Sequence, residues 1–395
     1  MNEYISVNPE RIKWCCNKYG ISDSVLAHKL GVNEEKIQTI FDSNQVQARV
    51  GLTFRQLEKL AQTFSESILF FINNEPVIEE NLLTPQFRTM ESQIPNLDIQ
   101  IKKIIENVVS QQDLYISLLE ELGEELLGFS PIDLNDLSLE KAALKVRKWL
   151  DIPSSRKLSF KDYREKIESK GILVFVSNGY SGSWKIPNSS KILGFSFYHE
   201  KVPVIFVKKD NENSDNQSVF TLMHELAHIL IHKKTIIDST DVITSDIRIE
   251  KEANEFASNI LVTSSMLDTI DDDLKPDNVQ YYRDWVKNIT SKYSVSTDVV
   301  LLRLLKNGRV SQREYHEYRE YCAKERDFYF SLPIARDQNI PRRRYLEPKQ
   351  IFGESYVRVI LDALQNNIVT LSKASNYLDG LKIKSIKELE RSIYG

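Results

Sequence analysis

The sequence has few of the features that stabilise secreted or membrane-spanning proteins. Its 395 residues include three cysteines, two of them adjacent (Cys15 and Cys16), which excludes a disulfide framework and offers no cysteine spacing for a metal. No apolar run approaches the ~20 residues that a membrane helix needs. The first residues lack a basic segment followed by an apolar run, so we expect no signal peptide. Together these absences predict a protein of a reducing cytoplasm.

Charge of one sign is not concentrated in any block, although its distribution is uneven. The formal net charge is −4 overall, −3 over residues 1–80 and +6 over residues 301–395. Mixed charges of this kind predict a solvated surface. For the basic C-terminal part, which includes PRRRY at residues 341–345, an acidic partner or nucleic acid is the alternative.

Residues 1–75 are predicted to form an all-α module of short helices. Pro9 and Gly20 bracket the first helix, and Gly31 ends the second, in keeping with the preference of helix starts for proline and of helix ends for glycine. A third helix, capped by Asn33, follows after a single intervening residue. Two short helices joined by a tight glycine turn are typical of a helix-turn-helix module.

The third helix, residues 33–41, would be the recognition helix of a DNA-binding module. Its candidates for contacts with base edges are Asn33, Lys36, Gln38 and Thr39. The module is acidic, however, and phosphate contacts supply most of the affinity for DNA. DNA binding therefore stands beside three alternatives: a helical module that binds protein, one that forms a homodimer, and one that has lost DNA binding.

Beyond this module the chain is predicted to be an α+β protein. Residues 76–130 form a linker that contains a long amphipathic helix over residues 96–123. From about residue 135 helices alternate with strands, including a β-branched strand at residues 172–176 and a hairpin at residues 191–209. The predicted central domain, residues 131–325, has a small, mostly antiparallel sheet with helices, and residues 326–395 form a basic helical unit.

The segment TLMHELAHILIH, residues 221–232, places titratable side chains in an otherwise apolar helix. The chain has six histidines, and three of them lie in this segment. His224 and His228 are four residues apart and share one face of a helix, where two imidazoles can bind one zinc ion. Glu225 would then act as general base and acid for a water on that zinc. Histidines that only form hydrogen bonds in the core are the structural alternative.

A third zinc ligand has to come from elsewhere in the chain. His232 lies one turn further along, but three ligands from one straight helix do not suit a tetrahedron, so we expect His232 at the helix end or against a ligand. The next helix, from about residue 246, offers Glu250 and Glu252. Its periodicity places both on the flanks of one apolar stripe and does not choose between them.

The segments FTLMHELAHILIH and IEKEANEFASNIL together resemble the ImmA/IrrE family of zinc metallopeptidases. The resemblance implies a zincin-like domain in which Glu250 is the third ligand, Asn254 supports a ligand, and Glu252 is an acid at the rim. The strands before the site and the segment VSTDVVLLRLL after it are also similar to the family. Residues 1–75 resemble the Xre-type helix-turn-helix domain that many longer members carry.

The function implied by this resemblance is that of a cytoplasmic zinc metallo-endopeptidase. Family members commonly cleave a repressor or antitoxin, often in a phage, mobile-element or toxin–antitoxin-like module. The edge of the strand in KVPVIFV, residues 201–207, is predicted to hold the substrate. Tyr180, Tyr198 and His232 are candidates for stabilising the oxyanion. The alternative is a DNA-binding regulator whose metal domain senses or binds a partner, although such a site would not need Glu225.

Overall fold

The structure is a computed structural model that divides the chain into two compact units. It describes residues 4–42, 51–64, 66–76, 99–123, 129–154, 157–179, 182–187, 190, 192–209, 215–239, 247–293, 295–330 and 343–395. Unit 1 comprises residues 1–88 and 96–105, and unit 2 comprises residues 89–95 and 106–395. None of the helices in the described part of the chain combines the length and apolar character that crossing a membrane requires.

Unit 1 is a small helical module with one short two-stranded sheet. Its elements are β1 (Tyr4–Ser6), α1 (Pro9–Tyr19), α2 (Asp23–Leu30), α3 (Glu34–Asp42), β2 (Gly51–Thr53), α4 (Phe54–Phe64) and α5 (Ile68–Ile72). The two strands pair antiparallel. The helices bury one apolar core, which includes Cys15 and Cys16 as well as leucine and isoleucine side chains from α2 to α4.

Glycine ends the first two helices of unit 1, as the sequence predicts. Gly20 and Gly31 both adopt left-handed backbone conformations, with φ of 66° and 69°. A residue without a side chain takes this conformation at little cost, and it lets the backbone amides return to the last helical turn. α2 and α3 are therefore joined by a short turn at Gly31, which is the connection expected of a helix-turn-helix pair.

Unit 2 contains a four-stranded sheet with helices on both faces. The strands are β3 (Leu173–Val176), β4 (Ile192–Phe197), β5 (Val204–Val207) and β6 (Ile236–Ser239), in the order β3-β5-β4-β6. β5 runs parallel to β3 and antiparallel to β4, and β4 runs antiparallel to β6. The sheet is mostly antiparallel, and the predicted α+β class is confirmed.

The predicted substrate-binding edge is wrong, because β5 lies inside the sheet. Val204 to Val207 pair with β3 on one side and with β4 on the other. A strand with two neighbours has no free row of backbone amides and carbonyls to offer a peptide. Of the strands that the structure describes, β3 and β6 lie at the two edges.

The helices before and between these strands lead the chain to the site. They are α6 (Ile99–Leu122), which begins in unit 1 and continues into unit 2, α7 (Leu139–Trp149), α8 (Phe160–Glu168), α9 (Asp215–Ala227) and α10 (Ile247–Leu261). A π-helical turn, His228–His232, directly follows α9. α9 packs on one face of the sheet, where Val174, Ile205 and Val207 share a buried apolar core with its leucines.

The remaining helices complete unit 2. They are α11 (Ser264–Leu267), α12 (Tyr282–Trp285), α13 (Lys287–Tyr293), α14 (Thr297–Lys306), α15 (Gln312–Phe330), α16 (Glu347–Gln365), α17 (Leu371–Tyr377) and α18 (Ile383–Tyr394). α16 covers the sheet face opposite to α9. Its Phe352 and Tyr356 both lie 5.6 Å from the Phe175 ring, and Phe352 lies 4.9 Å from the Trp184 ring. α16 thus packs directly on the sheet.

A buried ion pair within α8 contacts the first turns of α16. The Arg164 Nε donates to Glu168 Oε1 at 2.8 Å, and the same guanidinium donates to the carbonyl oxygens of Gln350 (2.6 Å) and Ile351 (3.0 Å). α16 is kinked at Gly353, whose φ is 85°. A Cβ at Gly353 would collide with the Glu168 carboxylate, so glycine is required there both for conformation and for space.

Candidate metal centre

The two histidines of the site lie at the end of α9, where the helix changes its type. α9 is α-helical to Ala227, and the chain then widens into the π-helical turn that begins at His228. The sequence alone predicts a straight helix through this segment, whereas the structure changes its pitch at the second histidine. Single π-turns inside helices are frequent at functional sites, because they re-aim side chains without ending the helix.

His224, His228 and Glu250 come together into a cluster of possible metal ligands. The two Nε2 atoms lie 3.0 Å apart, and the Glu250 carboxylate lies 3.1 Å from His224 Nε2 and 3.7 Å from His228 Nε2. One ligand atom from each residue lies within 4.8 Å of the others. The packing of α10 against α9 therefore supplies a carboxylate to the two histidines, and that carboxylate belongs to Glu250.

The outer nitrogens of both imidazoles are held by neighbouring side chains. His224 Nδ1 lies 3.1 Å from Asn254 Oδ1, and His228 Nδ1 lies 2.9 Å from His232 Nδ1. An amide oxygen only accepts hydrogen bonds, so His224 donates its Nδ1 proton to Asn254 and presents the Nε2 lone pair to the cluster. A hydrogen bond at the outer nitrogen fixes both the tautomer and the orientation of a ligating histidine.

Glu252 lies outside the cluster and contacts His232, which in turn contacts the cluster residue His228. Its Oε2 is 3.5 Å from His232 Nε2, and its Oε1 accepts a hydrogen bond from the Arg248 Nε at 2.9 Å. A chain of contacts thus runs from His228 through His232 and Glu252 to Arg248, whose side chain is 84% exposed. The two glutamates that helical periodicity leaves equivalent have different neighbours in the structure.

The two histidines of the cluster are buried, and burial favours the neutral form of His228. His228 is fully buried, and His224 is 3% exposed. Burial, with His224 and His232 alongside, lowers the pKa of His228 to about 2. Burial also lowers the pKa of His232, although Glu252 opposes this change. A metal binds the neutral imidazole, so a site that disfavours protonation favours a ligating histidine.

The donor set fits a zinc ion. Two imidazole nitrogens and one carboxylate match the three protein ligands of a catalytic zinc site, which keeps its fourth position open. Glu250 Oε1 is buried and accepts no hydrogen bond from the residues that the structure describes. A buried carboxylate oxygen without a donor is costly, and a cation between the three side chains would compensate that cost.

Glu225 points from α9 towards the sheet and is fully buried. An ideal Cβ built on Gly194 of β4 would lie 2.9 Å from Glu225 Oε1 and 2.8 Å from Thr221 Cγ2. The carboxylate therefore lies against the backbone of β4. Sequence reasoning missed Gly194, although a lone glycine inside the strand ILGFSF is a recognised sign of close backbone approach.

The candidates for stabilising the oxyanion are not brought to the cluster as a group. Tyr180 lies outside the described residues. The Tyr198 backbone amide donates to Thr235 Oγ1, and its side chain packs against the apolar core of unit 2. His232 contacts His228 and Glu252. The described geometry thus gives His232 a place beside a ligand, as expected for a helix-end residue.

The candidate base-contacting residues of α3 are largely occupied within unit 1. Asn33 Oδ1 accepts from the Lys36 amide, and the Thr39 hydroxyl donates to the Glu35 carbonyl. The Lys36 ammonium lies 3.3 Å from Gln56 Oε1 and 4.7 Å from the centre of the Tyr4 ring. The exposed side chains of the helix are Glu34, Glu35, Gln38, Thr39 and Asp42.

Comparison with known proteins gives one match, within unit 2. Neither a curated protein nor a solved structure matches the chain. Residues 168–305 match the family model Peptidase_M78, described as an IrrE N-terminal-like domain. The matched region runs from the end of α8 to α14, and it contains Glu225 and all three members of the cluster. This part of the chain is therefore similar to a metallopeptidase-type family, as the ImmA/IrrE resemblance of its motifs implies.

Proposed function

We propose that the chain is a zinc-dependent metallo-endopeptidase. The observation that carries the proposal is the convergence of His224, His228 and Glu250 within a region that matches a peptidase family. A buried cluster of two imidazoles and a carboxylate suits a divalent cation with affinity for nitrogen and oxygen donors. A purely structural zinc site closes all four positions with protein ligands, whereas the residues that the structure describes offer three here.

Each residue of the site has a distinct task in peptide hydrolysis. His224, His228 and Glu250 would hold the zinc, while Asn254 and His232 orient the two imidazoles. When bound, zinc lowers the pKa of a coordinated water towards 7 and polarises the scissile carbonyl. Glu225 accepts the proton of the attacking water and returns it to the departing amine. The burial of Glu225 excludes bulk water from this transfer.

The substrate is proposed to be a regulatory protein that docks along β6. β5 is enclosed on both sides, whereas among the described strands β6 has β4 as its one partner. An extended peptide could add to the free edge of β6 as a further strand. β6 would then be the one strand between this peptide and β4, whose backbone contacts Glu225. A repressor or antitoxin of a phage, mobile-element or toxin–antitoxin-like module is the substrate class that the family resemblance implies, in the cytoplasm.

Metal analysis and peptide profiling test this proposal. The purified protein should contain about one zinc per chain and should cleave members of a synthetic peptide library whose products are read by mass spectrometry. Glu225→Gln should keep the zinc and lose about 10²–10⁴-fold in cleavage rate, because the ligands remain and the base is gone. Glu255→Gln is the matched control, since Glu255 pairs with Lys306 outside the cluster. Zinc-loaded protein that cleaves nothing, or cleavage that survives in Glu225→Gln, would refute the assignment.

DNA binding by unit 1 is the second candidate function, and the short turn between α2 and α3 supports it. The exposed face of α3 opposes it, because Glu34, Glu35 and Asp42 repel phosphate. Fluorescence anisotropy with a random-sequence DNA duplex, repeated from about 50 to 200 mM salt, distinguishes a module that binds DNA from one that binds protein or forms a dimer. A DNA-binding module shows affinity that falls steeply with salt, whereas a protein-binding or dimerising module shows none at either salt concentration.

A further inference from the structure

Gly194 of β4 lies in close contact with α9. A Cβ at this position would lie 2.8 Å from Thr221 Cγ2, 2.9 Å from Glu225 Oε1 and 2.9 Å from the Phe206 carbonyl oxygen. Distances of this size between non-bonded carbon and other heavy atoms are well inside van der Waals contact. Three separate neighbours therefore enclose the space that a side chain would need.

The requirement for glycine at residue 194 concerns space and not backbone conformation. Gly194 is paired within β4, opposite Val207 of β5 and Asp238 of β6, and its φ is not in the left-handed region. An alanine could adopt the same backbone angles. The Cβ of an alanine at residue 194 would, however, collide with Glu225 Oε1 and displace the Glu225 carboxylate.

Thr221 and Glu225 complete the arrangement from the side of the helix. They are four residues apart on α9, so they share the helix face that packs on β4. The Glu225 carboxylate is thus confined between its own helix and the Cα of Gly194, and it is fully buried. A carboxylate confined in this way has few alternative rotamers, because the protein interior is close-packed.

We infer that Gly194 is a positioning residue for Glu225: the missing side chain lets β4 hold the base in one orientation towards the scissile bond. This role rests on the proposed peptidase function, because it assigns a task to the strand that contacts the base. Of the three heavy atoms nearest to the position of a Cβ at Gly194, one belongs to Glu225 and none belongs to a proposed metal ligand, so we expect the effect on the base and not on the metal.

The test compares turnover, zinc affinity and unfolding in matched variants. Gly194→Ala should lower kcat by about 10–100-fold, because a displacement of about 1 Å at a catalytic group costs this much. KM for the best library peptide and the zinc affinity should change less than about threefold, since the three atoms nearest to the new Cβ belong neither to β6 nor to a proposed metal ligand. Ser196→Ala is the control, because Ser196 is buried on the same face of β4, two residues from Gly194. The kcat of this variant should stay within about twofold of the wild-type value.

A second background keeps the test decisive if alanine at position 194 prevents folding. Thr221→Ser removes the methyl group nearest to the new Cβ, so Gly194→Ala combined with Thr221→Ser should fold and still show the loss in kcat. Unfolding in urea supplies a readout that does not depend on cleavage. Gly194→Ala should lower the urea midpoint in the wild-type background and lower it less in a Glu225→Ala background, where the carboxylate is absent.

The outcomes separate this inference from the proposed function. If the wild type cleaves peptides and Gly194→Ala cleaves them with a kcat within threefold of it, the positioning role is overturned and the peptidase stands. Equal drops in urea midpoint in both backgrounds would also overturn it, because they would show that Glu225 is not the group displaced. If the zinc-loaded wild type cleaves nothing, the proposed function fails and the role fails with it, whereas a coupled urea midpoint would still establish the contact.

Discussion

The contrast between Glu250 and Glu252 gives the sharpest prediction about the metal centre. Both belong to α10, two residues apart, and they differ in what they reach. Glu250 comes within 3.1 Å of His224 Nε2, whereas Glu252 lies 3.5 Å from His232 Nε2 and contacts neither histidine of the cluster in the described geometry. Replacing each in turn with alanine removes a proposed ligand in one case and a more distant supporting group in the other.

The expected losses follow from how far each side chain lies from the cation. Zinc sites with four protein ligands bind with about 10–16 kcal/mol, so one ligand contributes about 2.5–4 kcal/mol, and Glu250→Ala should weaken zinc binding by about 10²–10³-fold. Asn254 contacts the ligand His224 directly, at 3.1 Å, and Asn254→Ala should cost about 10–100-fold. Glu252 acts through His232, and Glu252→Ala should cost less than about 10-fold.

Competition with a chromophoric zinc chelator at constant pH measures all three variants against the wild type. Glu255→Ala serves as the control, because Glu255 is on the same helix and pairs with Lys306 away from the cluster. Circular dichroism confirms that each variant is folded before its affinity is compared. A larger loss in Glu252→Ala than in Glu250→Ala would refute the assignment of Glu250 as the third ligand.

Three further predictions concern the stability and reactivity of the chain. Gly353→Ala should lower the free energy of unfolding by about 3–5 kcal/mol, because the new Cβ strikes the Glu168 carboxylate of a buried ion pair and because the backbone of Gly353 (φ 85°, ψ 169°) lies in a region that is essentially restricted to glycine. Gly380→Ala, at a left-handed φ of 66° with open space, should cost only about 1–2 kcal/mol, and equal losses in urea titrations would contradict both reasons. Metal-free protein should be less stable at pH 5.5 than at pH 7.5, because burial lowers the pKa of His228 from about 6.5 in the unfolded chain to about 2 in the folded one. The unfolded state therefore gains a proton below about pH 6.5 that the folded state does not, and the free energy of unfolding falls as the pH falls. A urea midpoint that is the same at both pH values would contradict this prediction. A thiol reagent should label Cys322 and leave Cys15 and Cys16 unlabelled until the protein is denatured, because burial raises the pKa of both buried thiols to about 12. Rapid labelling of all three cysteines in the native state would contradict this burial.

The sequence predicted best those features that depend on residues close together in the chain. The glycine ends of the first two helices follow from backbone conformations that glycine adopts at little cost. His224 and His228 share a face because any helix places residues four apart one above the other. The α+β class follows from the change of apolar period along the chain, and it is confirmed.

Local reasoning was insufficient wherever the answer depended on which elements become neighbours. The strand at 204–207 has the same composition whether it lies at an edge or inside the sheet, and only long-range pairing with β3 and β4 encloses it. The π-turn at His228–His232 is likewise absent from the sequence pattern, which continues as an ordinary apolar helix. The pairing of β5 depends on backbone hydrogen bonds to strands distant in sequence, whereas the π-turn is a local widening of the helix that the apolar pattern does not mark.

The amino-acid sequence by itself determined the helix that carries two histidines and a glutamate, because helical spacing is a local property of the chain. The tertiary structure decided the rest of the site. Packing of α10 on α9 turned Glu250 towards the histidines and Glu252 towards His232, and packing of α9 on β4 confined Glu225 against Gly194. A helical period fixes which side chains share a face, but the element against which that face packs depends on contacts between residues distant in sequence.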